Sequence, residues 1–173
     1  MKSIVCLFAL LTLLSCKGKN PRPVNEQDVA RAQKEMIEEN KRQHNAEMKA
    51  IKEFIATNYW PMKETSTGLH YWIYQPGEGV QAKKDDHVAI SYIISLLDGT
   101  TCYKIDDASP KQLHIGHDNV ESGLHEALQL MHAGDKAKFI FPSHLAFGFT
   151  GDSGKIPQNA TVVYDIHLIS IHP

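Results

Sequence analysis

The groups best placed to do chemistry in this chain lie between Phe139 and Tyr164, in the run FIFPSHLAFGFTGDSGKIPQNATVVY. They are apolar and aromatic rather than nucleophilic. Phe147, Phe149 and Ile156 line a loop in which Gly148, Gly151 and Gly154 can take positive φ and Pro157 stiffens the exit. Such a loop suits an apolar pocket with a few polar groups at its rim. Other constellations are weaker. His114, His117, His125 and His132 invite a metal reading, but they fall across a strand end, a loop and a helix, without thiolates or a closed ligand set. They read as exposed histidines, and neither metal nor cofactor is expected. Cys102 has no resolving thiol nearby, and Asp85-Asp86 and Asp106-Asp107 read as solvated turns.

An apolar loop needs a sheet to hold it, and strand and turn signals recur from Thr67 to Ile171. Thr67-Gly68-Leu69-His70-Tyr71-Trp72-Ile73 precedes the turn Gly77-Glu78-Gly79. His87-Val88-Ala89-Ile90-Ser91-Tyr92 leads to Leu97-Asp98-Gly99-Thr100. Ile115-Gly116, Val120 and Gly123-Leu124-His125-Glu126-Ala127-Leu128 enter a short helix, left through Met131 and Ala133-Gly134-Asp135-Lys136-Ala137. In this order the motifs resemble the FKBP-type peptidyl-prolyl cis-trans isomerases. The resemblance implies an α+β fold, a twisted antiparallel sheet wrapped on a short helix near Gly123 to Met131. It also implies isomerisation of X-Pro bonds in exported polypeptides.

That reaction twists a partial double bond over a barrier of ~18–20 kcal/mol and breaks nothing. It requires no nucleophile, metal or acid/base pair. The twisted amide is less polar than the planar one, so a water-excluding pocket favours it over the ground state. By resemblance, Tyr92, Phe147, Ile156 and Tyr164 are the catalytic pocket residues, and Cys102, Tyr103, Val120 and Leu124 bind substrate. Any one of them could equally be ordinary core. Several positions depart from the family pattern. Cys102-Tyr103 replaces its Phe-Asp pair, which implies loss of a rim carboxylate. Leu124 stands for a tryptophan at the floor, Phe147 for a hydrogen-bonding tyrosine, Glu121 for an apolar residue, Lys155 for an isoleucine and Tyr164 for a phenylalanine. These changes imply a weaker isomerase with poor affinity for the family's macrolide inhibitors. The alternative is a non-catalytic chaperone or adaptor that only holds proline-containing or unfolded segments.

The preceding residues speak of location. In residues 1–16, Lys2 precedes an apolar run, and Leu13-Leu14-Ser15-Cys16 resembles a bacterial lipobox whose Cys16 is lipidated. An ordinary cleaved signal with a chance cysteine is the simpler alternative. Lys17-Gly18-Lys19, with no aspartate after the cysteine, resembles outer-membrane sorting. The expectation is an outer-membrane lipoprotein facing the periplasm, with residues 17–24 as its tether and a lipid anchor as its membrane contact. With 18 Lys and Arg against 20 Asp and Glu, interspersed over 173 residues, nothing suggests nucleic acid.

Residues 25–60 read as a long helix and 61–173 as the isomerase domain. Asn25 offers an N-cap, and Val29, Met36, Ile37, His44, Met48, Ile51 and Ile55 fall near one stripe. One reading is a homodimerisation arm. The other is a spacer helix whose far end, Ile51, Phe54 and Ile55, packs on the domain. Asn40 and His44 interrupt the seam and favour the spacer.

Overall fold

Alternation of apolar residues along two long strands decides the architecture. The computed structural model describes residues 25–172, so the expected signal, Cys16 and the tether lie outside the described residues. Helix α1 (Glu26–Asn58) is followed by β1 (Lys63–Glu64), β2 (His70–Gln75), β3 (His87–Leu96), β4 (Thr101–Ile105) and β5 (Lys111–His114). Helix α2 (Ser122–Gln129), β6 (Lys136–Phe141), a 3-10 turn (Ser143–Leu145) and β7 (Val162–His172) complete the order. All strand pairings are antiparallel, in the order β1-β2-β6-β7-β3-β4, with β5 also on β3.

Side chains two apart on a strand share a face. On one face Val162, Tyr164, Ile166 and Leu168 of β7 join Val88, Ile90 and Ile94 of β3 and Phe139 and Phe141 of β6. Helix α2 closes over them with Leu124, Ala127 and Leu128, followed by Met131, at the spacing of one helical stripe. Gly123 permits this docking, because a Cβ there would lie 2.7 Å from the Leu145 carbonyl oxygen.

The other face is covered by the second half of α1. Residues 40–173 form one compact unit, in which Ile51 is fully buried with Ile140 of β6 and Val163 of β7. Met48, Phe54, Ile55, Trp60, Met62 and Leu97 surround this smaller core. Tyr59, at φ 55°, stops the helix in the left-handed conformation ahead of Pro61. Residues 25–39 belong to a separate unit. There the Gln27 amide donates to Asn25 Oδ1 at 3.2 Å, and Val29, Met36 and Ile37 are exposed.

The apolar stripe therefore serves two environments, and its residues should differ in cost. Ile51→Ala should lower the unfolding free energy by about 2–5 kcal/mol, and Ile37→Ala should stay within about 0.5 kcal/mol. Urea denaturation of the two variants checks this. Equal losses would mean that the stripe is packed along its whole length.

Candidate functional site

Sheet register assembles the site. Ile94 pairs with Tyr103 across β4 and with Tyr164 across β7, so three strands present one row of side chains. That row, together with Tyr92, Val120, Glu121, Leu124 and Phe147, lines a cavity of about 260 Å³, with Lys111, Asn119 and Asp152 at the same wall. Leu124 and Tyr164 are each 1% exposed and form its deepest part. Phe141 stacks on Tyr164 with ring centres 4.6 Å apart, and Tyr92 lies tilted to it at 5.7 Å.

Six of the eight expected pocket residues thus share one cavity: Tyr92, Tyr103, Val120, Leu124, Phe147 and Tyr164. Ile156 and Cys102 do not line it. Both are buried in the core, where Cys102 Sγ lies 3.7 Å from the Lys155 carbonyl oxygen. Burial and the nearby Asp152 carboxylate push the Cys102 thiol up, against the opposing pull of Lys155, which keeps it protonated and unreactive.

The rim departs from expectation. Replacing the family's aspartate by Tyr103 does not leave the rim without a carboxylate, because Asp152 of the Gly-rich loop supplies one. The Tyr103 hydroxyl donates to Asp152 Oδ2. Asp152 Oδ1 accepts the amides of Gly154 and Ile156, each at 2.8 Å. Burial pushes this carboxyl up, but the Tyr103 hydroxyl and the amides of Ile156, Gly154 and Lys155 outweigh it and leave it below its ordinary value. Gly151, at φ 69°, lets the loop close this tightly, since a Cβ there would lie 2.4 Å from the Ile156 carbonyl oxygen. Lys155 sits over the Tyr103 ring at 5.4 Å.

The loop is also held from outside. Glu47 of α1 accepts the Ser143 amide at 2.6 Å and the Thr161 hydroxyl at 2.7 Å on the same oxygen, Oε1. Inside the cavity, burial raises Tyr164 well above the ordinary phenol value, and the Glu121 carboxylate and Tyr92 add to it. Tyr92 is raised by burial and by Glu121. Both phenols remain protonated donors at neutral pH.

A larger cavity of about 460 Å³ lies among Tyr74, Ser91, Ile93, Ile105, Asp107, Asp165 and their neighbours. Ser91 and His167 meet there, but both bond to Asp107. An activated serine would donate to the imidazole instead, so no hydrolytic triad is formed.

Comparison with known proteins places the cavity inside a matched domain. A family model described as FKBP-type peptidyl-prolyl cis-trans isomerase matches residues 78–169. The chain is 34% identical over 151 residues to the FKBP-type peptidyl-prolyl cis-trans isomerase FkpA of Aeromonas hydrophila, covering 86% of this chain and 52% of that protein. It is 37% identical over 106 residues to the outer membrane protein MIP of Legionella longbeachae, covering 61% of this chain and 45% of that one. The chain thus spans about half the length of these curated relatives. Among solved structures, FkpA of Escherichia coli aligns with a TM-score of 0.65 at 25% identity, over 87% of this chain and 74% of that one. A peptidyl-prolyl cis-trans isomerase of Pseudomonas syringae aligns at 0.63 with 29% identity, over 75% and 96% respectively.

A depressed carboxyl contributes stability that is fully present above its unfolded value and is lost as pH falls through its folded one. The Gly154 and Ile156 amide shifts should therefore titrate together with a midpoint below 3.8, the ordinary value for aspartate. Two-dimensional NMR across the acid range checks this. A midpoint at or above 3.8 would show that Asp152 does not hold the loop.

Proposed function

Because this chain belongs to the FKBP-type peptidyl-prolyl cis-trans isomerase family, we propose that it isomerises X-Pro bonds of exported polypeptides in the cavity between Tyr92 and Phe147. The observation that carries this reading is the convergence of Tyr92, Leu124, Phe147 and Tyr164, from four separate segments, on one cavity within the matched residues. Its volume of about 260 Å³ lies below the usual range for drug-sized ligands of ~300–1,000 Å³. It suits a prolyl ring and the adjoining amide.

The aromatic and aliphatic walls exclude water from the amide as it twists. Resonance across the C–N bond is lost in the twisted state, and with it much of the amide's polarity, so these walls favour that state over either planar isomer. Tyr92 and Tyr164 offer protonated hydroxyls toward the amide. Lys111 and Asn119 offer donors to flanking carbonyls, and Asp152 offers an acceptor to a flanking N–H. Phe147 contributes surface and no hydroxyl. One missing neutral hydrogen bond is worth ~0.5–1.5 kcal/mol, or up to about tenfold in rate. Activity is therefore reduced and not abolished. Ile156 and Cys102 act from behind, as packing under the loop.

The site works in the cell envelope. The lipobox-like segment ending at Cys16 and the relative named as an outer membrane protein support this placement. No helix among the described residues is long and apolar enough to cross a membrane. On the strength of the lipobox-like sequence, acyl chains on Cys16 serve as the anchor to the outer membrane, on its periplasmic side. Exposed Val29, Met36 and Ile37 offer a surface for a second copy of the chain.

The test is cis-trans exchange of a Phe-Pro or Leu-Pro peptide, followed by NMR with and without the protein. Faster exchange is expected, with a loss of about tenfold or more on Phe147→Ala. Tyr103→Phe should reduce it by about tenfold or less. Peptide binding with unchanged exchange would overturn catalysis and leave a module that only holds its client.

A further inference from the structure

Three side chains with metal-ligand chemistry meet outside the proline cavity. Asp85 precedes β3, His114 ends β5, and His117 lies in the turn that follows. One ligand atom from each lies within 4.8 Å of the other two. Ligand atoms around a tetrahedral zinc, each about 2.1 Å from the ion, stand about 3.4 Å apart. The His114 and His117 rings, inclined by 20° to each other, must splay for their nitrogens to converge on one ion.

The backbone beneath these groups is already fixed. The Asp85 amide donates to the Ile115 carbonyl at 3.0 Å, and the Ile115 amide returns the bond to Asp86 at 2.9 Å. The His117 amide donates to the His114 carbonyl at 3.1 Å, and the His114 amide donates to Asp118 Oδ2 at 2.9 Å. Asp85 stands at φ 73°, in the left-handed region. Aspartate is one of the few residues other than glycine that adopts it. The carboxylate so placed faces His117, whose Nε2–H donates to Asp85 Oδ1 at 2.7 Å. The His114 ring stacks on His117 at 4.0 Å and on His87 at 4.1 Å.

A simple surface hydrogen bond would account for His117 and Asp85 alone. Ring stacking and the β3–β5 pairing set His114 beside them, and together they bring three ligand atoms within reach of one ion. We propose that Asp85, His114 and His117 form a binding site for a divalent cation of the zinc, nickel or copper class, completed by water. Two imidazoles and one carboxylate suit these ions, and hard cations such as magnesium prefer an all-oxygen set. The cation takes the place of the proton between His117 Nε2 and Asp85 Oδ1.

The other histidines of the segment are engaged elsewhere. His125 Nδ1 accepts the Gly116 amide at 2.9 Å, so its Nε2–H is the donor to the Asp118 carbonyl at 3.0 Å. His132 faces the buried Asp135. The site has a structural reach beyond its ligands. Asn119, Val120 and Glu121 of the proline cavity follow His117 after Asp118 alone, so a bound cation braces the segment that carries them.

Calorimetric titration of the untagged full chain with zinc chloride tests the proposal. One ion per chain is expected, with micromolar affinity. His114→Ala and His117→Ala should each weaken binding by about tenfold or more, and His44→Ala should leave it unchanged. Absence of saturable binding up to millimolar zinc would overturn the site. So would unchanged binding in the His114→Ala/His117→Ala double variant, which would place the ion elsewhere. If a variant misfolds, substoichiometric copper added to the unmodified chain decides. Selective broadening of the His114 and His117 ring protons supports the site, and uniform broadening across all 10 histidines overturns it.

Discussion

The pairing of β3 with β7, from His87 opposite His172 to Leu96 opposite Val162, is the constraint on which the rest of the molecule depends. Successive side chains of a strand face opposite ways, and a slip of one residue would exchange the faces. In the observed register Tyr164 and Ile94 look toward α2 and the cavity lined by Tyr92 and Phe147. Val163, one residue away, looks toward Ile51 of α1. One ladder therefore assigns both the core under α2 and the seat of the long helix. The same strand brings His87 beside His114 through its other edge, because β3 pairs with β5 beyond the end of β4.

At the cavity rim, polarity is retained with the partners placed differently from the family pattern. A tyrosine stands on β4 and a carboxylate on the loop, and the pair ties the loop to the sheet. Asp152 also accepts two amides of its own loop. A carboxylate with so many donors is costly to protonate. The loop is thus organised mainly by polar bonds to Asp152, while Ile156 fills the core beneath it.

The α+β architecture was legible because its signals are local. The turn glycines, the alternating strands and the short helix with Leu124, Ala127 and Leu128 each occupy a few consecutive residues. Tyr92, Val120, Leu124, Phe147 and Tyr164 could be gathered only through the resemblance that the order of those motifs carries, since each alone reads as ordinary core. The bond between Tyr103 and Asp152 could not, since 49 residues separate them and neither is unusual alone. Asp85 was read as a solvated turn for the same reason: its meeting with His117 spans 32 residues and depends on how two turns abut. Ile156 and Cys102 were assigned to the wall by resemblance and are buried in the core beside it. The apolar stripe of α1 was plain in the sequence. Which half would find a partner was not, because periodicity reports a face and says nothing of what lies opposite.

Glu47 holds Ser143 and Thr161, the two roots of the Gly-rich loop, on a single oxygen. A segment whose ends are fastened together has already given up much of its closure entropy. Its remaining freedom is to move as a ring that never parts. Such a ring cannot swing aside like a door to admit a chain terminus and close behind it. What approaches the cavity meets an edge of constant perimeter. On the proposed function, prolines in the bends of partly folded chains, presented sideways with polypeptide running on in both directions, are the substrates that such an edge would admit without opening.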